Sequence, residues 1–335
     1  MRGIKTCMDE LLKRRVPLAS LPTPVHYLER MSKELGVGLF VKRDDLTESV
    51  ASGNKIRKME YVLYQALEKG ADTLVTCGGL QSNHCRAVAW IAARKGLRCF
   101  LILRGGKPSV PDGNLLLDSL LGAEMEFRTV EQFEDLTGLA SECCSALQNK
   151  GRKPFFIPMG ASTATGALGY VNMVGELAAA GDRFDHLYCA VGSGGTLAGT
   201  ILGCRHFGLD TRIHGVAVCD DRATFEAELR RIGDEFSSWF GIEADLPGPS
   251  VRIDDGHVGI GYAMNTGEEF EELVRVARSE GLVLDPVYTL KAFLGMRDDI
   301  LSGRVKTGEK VLFLHSGGHF GLMSTGFGVH SYTGW

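Results

Sequence analysis

Lys55 is the residue of this sequence whose type and position most directly suggest chemistry. It follows Gly53 and Asn54, which suit a tight turn, and Gly70 ends the apolar helical pattern that comes after it. That pattern consists of Ile56, Met59, Leu63 and Leu67. The partial positive charge of a helix N-terminus lowers the pKa of a lysine and favours the neutral amine that attacks carbonyl carbons. Lys55 is therefore a candidate covalent catalyst, and the alternative is a solvated surface lysine.

A glycine-rich turn between a strand-like run and a helix-like run is a candidate phosphate site. It consists of Gly192, Ser193, Gly194, Gly195 and Thr196. Backbone N–H groups at such a turn can converge on an anion, and the helix dipole favours negative charge there. The turn lacks the lysine of a P-loop and the full spacing of a dinucleotide site, which favours a monophosphate. The alternative is a turn that only reverses the chain.

A second turn of the same kind carries polar side chains at Ser82, Asn83 and His84. As an N-cap, Ser82 has a structural role, and as an active-site residue it can relay a proton. The turn as a whole suits a carboxylate. His84 by itself is expected to be a packing or surface residue rather than a metal ligand.

Three further segments place polar residues at the ends of predicted elements. Tyr288 and Thr289 precede a predicted helix, and Ser316 lies in a glycine turn after the strand Val311–Leu314. His315 and His319 flank that turn, but the glycines between them argue against a helical metal pair, so no metal site is expected. The run Arg43-Asp44-Asp45 is interpreted as a salt-bridge cluster, with an acid/base site as the alternative.

Composition narrows the class of protein. The chain has 335 residues, 44% of them hydrophobic, with a net charge of −4 and no block of Lys and Arg, which argues against a nucleic-acid partner. No apolar run is long enough to span a membrane and no signal peptide is visible, so a cytoplasmic protein is expected. The nine cysteines include no CxxC pair, which predicts free thiols without zinc.

Short apolar runs alternate with helical patterns along the chain, which predicts an α/β fold with mostly parallel sheets flanked by helices. Ligands of such sheets bind beyond the carboxyl ends of the strands, where the glycine turns described above are predicted to lie. The least regular stretch, roughly 233–261, is expected to cover the surface or to contact a partner subunit.

Six motifs follow one another between about residue 21 and residue 322. They are Lys42-Arg43-Asp44-Asp45-Leu46, Gly53-Asn54-Lys55 with Arg57-Lys58, Gly79-Leu80-Gln81-Ser82-Asn83-His84, Gly192-Ser193-Gly194-Gly195-Thr196, Leu284-Asp285-Pro286-Val287-Tyr288-Thr289 and His315-Ser316-Gly317-Gly318. Taken together they resemble the D-cysteine desulfhydrase and 1-aminocyclopropane-1-carboxylate (ACC) deaminase family of fold-type-II pyridoxal phosphate enzymes.

The resemblance implies two open twisted sheets, as in the β subunit of tryptophan synthase, with the active site between two lobes. Residues 1–56 and 166–335 would form the large cofactor-binding domain, and residues 57–165 the small one. A homodimer and a small amino-acid substrate are also implied.

The resemblance also assigns roles to residues. Lys55 would bind pyridoxal phosphate covalently, and Asn83 would hydrogen-bond its ring hydroxyl. Its phosphate would be held by Lys58 and the turn Gly192, Ser193, Gly194, Gly195 and Thr196. The substrate carboxylate would be received by Ser82, Asn83 and His84, largely through backbone donors. Tyr288 would line the ring and substrate, Ser316 would face the pyridine nitrogen, and Ser82 or Tyr288 would transfer protons.

Two positions bear on the substrate. ACC deaminases resemble one another in a glutamate after the active-site tyrosine, whereas Thr289 stands here, so the ring would be a weaker electron sink. This favours β-elimination, with D-cysteine giving pyruvate, sulfide and ammonia. ACC deamination, a cysteate sulfo-lyase, a serine dehydratase, a racemase and a small-anion sensor are the alternatives. Ser316 replaces an expected threonine, and His319-Phe320 is expected to reshape the pocket.

Overall fold

A computed structural model of the chain describes residues 2–324 and 328–333. In these residues the chain forms ten β-strands. They are β1 (Val25–Tyr27), β2 (Gly38–Arg43), β3 (Thr73–Gly79), β4 (Arg98–Arg104), β5 (Glu124–Arg128), β6 (Pro154–Ile157), β7 (His186–Val191), β8 (Arg212–Ala217), β9 (Val251–Asp254) and β10 (Lys310–His315).

Helices lie between most of these strands. They are α1 (Arg2–Lys13), α2 (Glu29–Leu35), α3 (Asn54–Glu68), α4 (Asn83–Lys95), α5 (Gly113–Leu120), α6 (Leu136–Asn149), α7 (Ala164–Ala180), α8 (Gly195–Phe207), α9 (Arg222–Phe240), α10 (Gly267–Glu280), α11 (Thr289–Leu301) and α12 (His319–Leu322). Among the described residues, no helix combines the length and the apolarity that crossing a membrane requires.

The strands form two sheets. The larger sheet has the order β1-β2-β10-β7-β8-β9, and the smaller has the order β5-β4-β3-β6. All neighbouring strands are parallel except β1, which pairs antiparallel with β2. The predicted architecture of two mostly parallel sheets flanked by helices is therefore confirmed. The strands of the small sheet fall between residues 73 and 157, whereas the predicted domain limits at 57 and 165 remain predictions.

The strand composition explains why both sheets are buried. Val, Leu, Ile and Cys fill β3 and β4, and Leu74, Val75, Leu101 and Ile102 are almost completely inaccessible. Such runs suit a sheet that is covered by helices on both faces. Separate apolar clusters pack on the two sheets, so each lobe has a core of its own.

The salt bridges predicted for the run Arg43-Asp44-Asp45 are present. Arg43 pairs with Asp45 at 2.6 Å, and the buried guanidinium of Arg57 on α3 pairs with Asp44 at 2.8 Å. Arg57 also bonds Glu176 on α7 at 2.6 Å. The run thus ties the end of β2 to α3 and, through Arg57, to α7.

The interpretation of residues 233–261 as irregular is wrong for two parts of the stretch, whereas its role at the surface or against a partner subunit stays a prediction. Helix α9 continues to Phe240, and β9 adds an edge strand to the large sheet at Val251–Asp254. Phe225, Leu229, Ile232 and Phe236 form the buried face of α9 at helical spacing. The acidic residues that obscured this pattern lie on its outer face.

Candidate active site

A cavity of about 320 Å³ lies where the carboxyl ends of the strands of both sheets meet. Parallel strands bring their following turns to one edge of each sheet, which is where ligands of such folds bind. Most of the residues predicted to be functional line this cavity. They are Lys55, Lys58, Ser82, Asn83, His84, Gly192, Ser193, Gly194, Thr196, Tyr288 and Ser316.

Lys55 lies in the first turn of α3, as predicted. The preceding Gly53 has a φ of 112°, and a Cβ there would lie 2.6 Å from the carbonyl oxygen of Ser316, so only glycine fits this junction. The Nζ of Lys55 donates to Oδ1 of Asn54 at 2.9 Å and lies 5.7 Å from the centre of the Tyr288 ring.

Burial lowers the pKa of the Lys55 ammonium to about 8. The carboxylate of Asp285 opposes this shift, and the positive charge of Arg86 adds to it. Burial is thus the main cause, whereas the sequence argument relied on the helix N-terminus. A large fraction of the amine is neutral at a mildly alkaline pH, as attack on a carbonyl carbon requires.

Lys58 is a buried amine with neutral partners. Its Nζ donates to the carbonyl oxygen of Gly160 at 3.1 Å and contacts Oγ of Ser162 at 3.5 Å, and among the described residues it forms no ion pair. Burial, together with the nearby charge of Lys55, lowers the pKa of Lys58 well below its usual value. An anion beside Lys58 would favour the protonated, charged form of this amine.

The glycine turn is adjacent to Lys58. A Cβ on Gly195 would lie 3.0 Å from Nζ of Lys58 and 2.8 Å from Oγ of Ser162, so the turn must be glycine for the lysine to approach it. Ser162 Oγ accepts a hydrogen bond from the N–H of Gly195 at 3.2 Å and lies 2.8 Å from Oγ of Ser193. Gly195 itself is not among the lining residues, because it begins α8 behind the turn.

Ser82 and His84 are both held at the start of α4. Ser82 is the predicted N-cap, and its Oγ accepts from the N–H of Cys85 at 3.1 Å. His84 Nε2 lies 2.9 Å from Oγ1 of Thr76, whose own proton is donated to the carbonyl oxygen of Ile157. Nε2 is therefore the protonated nitrogen of the ring. Burial, with the charges of Lys55 and Lys58, lowers the pKa of His84 well below its usual value.

Tyr288 faces a tyrosine that sequence reasoning missed. The hydroxyl oxygens of Tyr262 and Tyr288 are 2.6 Å apart, and both rings line the cavity. Burial raises the pKa of Tyr288 well above its usual value, so the phenol stays protonated and can donate. Tyr262 lies in an irregular glycine-rich loop without hydrophobic periodicity, so no local pattern could have singled it out.

Other lining residues were also missed. Met159 and Gly160 reach the site from the short turn before α7, and Arg104 and Phe133 reach it from the small lobe. Arg104 lies beside Gly79 on the neighbouring strand, and its guanidinium carbon is 5.7 Å from the centre of the Phe133 ring. It forms no ion pair with any residue in 2–324 or 328–333. An exposed arginine at a strand end gives no signal in the sequence.

Two expectations about the pocket are not supported by the geometry. Thr289 is fully buried and does not line the cavity, because its hydroxyl donates to Oδ1 of Asp285 at 2.7 Å. His319 and Phe320 also lie behind the cavity wall. His319 Nε2 contacts the carbonyl oxygen of Val283 at 2.9 Å, and Phe320 packs against Arg86.

Asp45, His315 and His319 approach one another closely enough for a metal ion, which the spacing of the two histidines did not suggest. Each group already has a partner, however. Asp45 pairs with Arg43, and both histidines contact the carbonyl oxygen of Val283 through Nε2. The cluster therefore braces the turn around Ser316, and no metal site is assigned to it.

The donors of the cavity fit pyridoxal phosphate. Lys58, the glycine turn and Ser162 provide cationic and N–H donors for a phosphate, and Lys55 provides an amine of lowered pKa for an aldehyde. Asn83 and Ser316 add polar side chains to the cavity lining. This combination defines a pyridoxal phosphate enzyme with two α/β lobes.

Comparisons with known proteins agree with this class. The model of the family described as pyridoxal-phosphate dependent enzyme matches residues 16–317, and the chain belongs to that family. A solved ACC deaminase homologue superimposes with a TM-score of 0.88 at 38% identity, over 97% of this chain and 98% of its own. Tomato threonine deaminase isoform 2 shares the fold alone, with a TM-score of 0.68 at 16% identity, over 99% and 89% of the two chains.

Curated relatives identify the group within the family. A putative ACC deaminase of Thermotoga maritima is 43% identical over 92% of this chain and 98% of its own length. The bifunctional D-cysteine desulfhydrase/ACC deaminase of Arabidopsis thaliana, a mitochondrial protein, is 37% identical over 91% and 78%. The chain is a fold-type-II, pyridoxal-phosphate-dependent lyase or deaminase of the D-cysteine desulfhydrase and ACC deaminase group.

Proposed function

We propose that this chain catalyses β-elimination from a small amino acid, with D-cysteine as the preferred substrate and pyruvate, sulfide and ammonia as products. The observation that carries the proposal is the hydroxyl of Ser316 at the cavity wall, the group proposed to face the pyridine nitrogen. A neutral partner leaves this nitrogen less protonated than a carboxylate would. Pyridoxal phosphate supplies the electron sink for the pair released at Cα, and a weaker sink suffices when a good leaving group departs from Cβ.

In the proposed site, different residues bind different parts of the cofactor. Lys55 holds it covalently, and Lys58 with the turn Gly192–Thr196 and Ser162 binds its phosphate. Asn83 donates to the ring hydroxyl. These roles are supported by the burial of Lys58 without an anionic partner among the described residues and by the lowered pKa of Lys55.

The substrate is proposed to bind between the start of α4 and the tyrosine pair. Backbone N–H groups of Ser82, Asn83 and His84 lie at a helix N-terminus, where a carboxylate is stabilised. The freed amine of Lys55 accepts the Cα proton. The hydroxyl of Tyr288, in contact with Tyr262, donates a proton to the departing sulfur, and Ser82 is the alternative donor.

A specific observation supports each of two alternatives. The similarity to the putative ACC deaminase of Thermotoga maritima favours ACC deamination. The unpaired guanidinium of Arg104 favours a substrate with an anionic leaving group, such as the sulfonate of cysteate. Lys55 and Lys58 are assigned to the cofactor, so Arg104 is the cavity cation that remains for the substrate.

The test is a substrate panel with the holoenzyme and its Lys55→Ala variant. D- and L-cysteine, D- and L-cysteate, serine, β-chloroalanine and ACC are compared by the release of pyruvate or 2-oxobutyrate, sulfide and sulfite. We expect D-cysteine to have the highest kcat/KM and the variant to lose both turnover and the visible absorption band. A higher kcat/KM for ACC would refute the proposed substrate, and an unchanged spectrum in a folded variant would refute the role of Lys55.

We also propose that the protein is a cytoplasmic homodimer with the domain division at residues 57 and 165. These proposals rest on the resemblance and on the position of the small sheet within that range. Light scattering after size exclusion tests the dimer, since a monomeric holoenzyme would contradict it. A stable, separately folded 57–165 fragment would support the division.

A further inference from the structure

The side-chain amide of Asn83 is held by two buried residues behind it. Its Oδ1 accepts from Nη1 of Arg86 at 3.0 Å and from Nδ2 of Asn114 at 3.1 Å. An amide has an acceptor at one end and donors at the other. Because the oxygen is engaged twice from behind, Nδ2 is the end of the amide that is left for the cavity.

Asn114 cannot easily reverse its own amide. Its Nδ2 also donates to the carbonyl oxygen of Gln81 at 2.8 Å, and its Oδ1 accepts from Nη1 of Arg86. Its backbone N–H donates to Oε1 of Gln81 at 2.8 Å. Asn114 is completely buried, so a reversed amide would leave several polar groups unpaired.

Arg86 connects this network to the lysine loop. It is completely buried, and its Nη2 donates to the carbonyl oxygen of Ser52 at 2.6 Å, three residues before Lys55. Its guanidinium carbon lies 4.8 Å from the centre of the Phe320 ring. The aromatic residue at position 320 therefore acts on the site through Arg86 rather than as a wall of the pocket.

The charge of Arg86 strengthens the donor that Asn83 presents. Burial lowers the pKa of Arg86 to about 10, whereas the charges of Asp118 and Glu48 raise it. The guanidinium therefore remains a cation at neutral pH. A charged donor on the amide oxygen polarises the amide, and hydrogen bonds in such chains reinforce one another. The Nδ2 of Asn83 is thus a better donor than an amide in water.

We propose that Arg86 and Asn114 are positioning residues that lock the Asn83 amide with Nδ2 toward the ring hydroxyl of pyridoxal phosphate. The inference rests on the proposed contact between Asn83 and that hydroxyl. An amide locked in this way can only donate, so the site favours the deprotonated, anionic ring oxygen.

A double-mutant cycle on cofactor affinity tests the proposal. Pyridoxal phosphate binding is titrated in the wild type, Asn83→Ala, Asn114→Ala and the double variant, with folding checked by circular dichroism. We expect Asn114→Ala to weaken binding by about fivefold, the order of one buried hydrogen bond, and to change it by less than about twofold when Asn83 is already alanine. The same loss in both backgrounds would overturn the proposal, since Asn114 would then act independently of Asn83.

Asn114→Asp is the second variant and keeps the shape of the side chain. Its carboxylate repels Oδ1 of Asn83 and favours the reversed amide, so it should weaken binding at least as much as Asn114→Ala. The pH at which the visible band of the bound cofactor changes should rise, because the ring oxygen loses a donor. If this variant left both the pH midpoint of the visible band and the affinity for pyridoxal phosphate unchanged, the proposal that Asn114 fixes the orientation of the Asn83 amide would be refuted. If Asn83→Ala bound pyridoxal phosphate as tightly as the wild type, the proposed contact between Asn83 and the ring hydroxyl would be refuted instead.

Discussion

The hydroxyl of Thr289 donates to Oδ1 of Asp285 at 2.7 Å, one helical turn back along the chain. Asp285 also accepts from the N–H groups of Val287, Tyr288 and Thr289, so it serves as the acceptor for the start of α11. Thr289 is thereby directed away from the cavity and into the protein interior.

Replacing Thr289 by Glu should therefore destabilise the protein rather than convert it to an ACC deaminase. A second carboxylate beside the buried Asp285 has to be desolvated and repels its neighbour. We expect a loss of about 3 kcal/mol, which thermal unfolding would show as a midpoint lower by about 5 °C. Thr289→Ser is the control, because it retains the hydroxyl. A stable Thr289→Glu protein that gains ACC turnover would restore the electronic argument made from the sequence.

Replacing Lys58 by Met should have opposite effects on the apoprotein and on cofactor binding. It replaces a buried amine that has no anionic partner among the described residues by an apolar side chain, so the midpoint of thermal unfolding of the apoprotein should rise. Affinity for pyridoxal phosphate should fall at least about tenfold with the loss of a charged phosphate donor. The exposed Lys33→Met is the matched control and should change neither quantity. Equal affinity in the two variants would exclude Lys58 from the phosphate site.

The lowered pKa of Lys55 predicts a specific pH dependence. Between about 8 and its ordinary value of 10.5, the unfolded chain binds a proton that the folded apoprotein has released, so stability should rise with pH in this window. The rate of covalent cofactor attachment should rise as pH approaches 8 and then level off. The control for stability is Lys55→Met, from which this contribution should be missing. Identical pH profiles for the two apoproteins would contradict the assigned pKa.

Replacing Arg104 by Gln should separate the substrates by the charge of their leaving groups. If the guanidinium binds a substrate sulfonate, kcat/KM for cysteate should fall about tenfold, whereas the value for D-cysteine should stay within about twofold. Arg94→Gln is a matched control, because Arg94 also stacks on an aromatic ring, that of Trp90, but lies outside the cavity. An equal loss of kcat/KM for all substrates would instead indicate that Arg104 binds the α-carboxylate, which they share.

Local rules explain which parts of the site could be predicted. Gly53 before Lys55, Ser82 before α4 and the turn at Gly192–Thr196 each combine a backbone requirement with a helix start, and these signals are contained in a few adjacent residues. The alternation of apolar runs and helices predicted mostly parallel sheets, the family resemblance implied two of them, and parallel pairing brought these turns to one edge of each sheet. The long helix α9 was missed because charged residues on its outer face obscured the buried stripe.

The sequence by itself determined the lysine and the anion-binding turns of the site, because each follows from local backbone geometry, whereas Tyr288 was singled out by the family resemblance. Tertiary structure alone decided what these groups contact. It paired Tyr288 with Tyr262, placed Ser162 beside Lys58 and engaged Thr289 with Asp285. Burial, hydrogen-bond direction and pKa depend on neighbours that are distant in the chain, so they exist only once the two lobes have packed together.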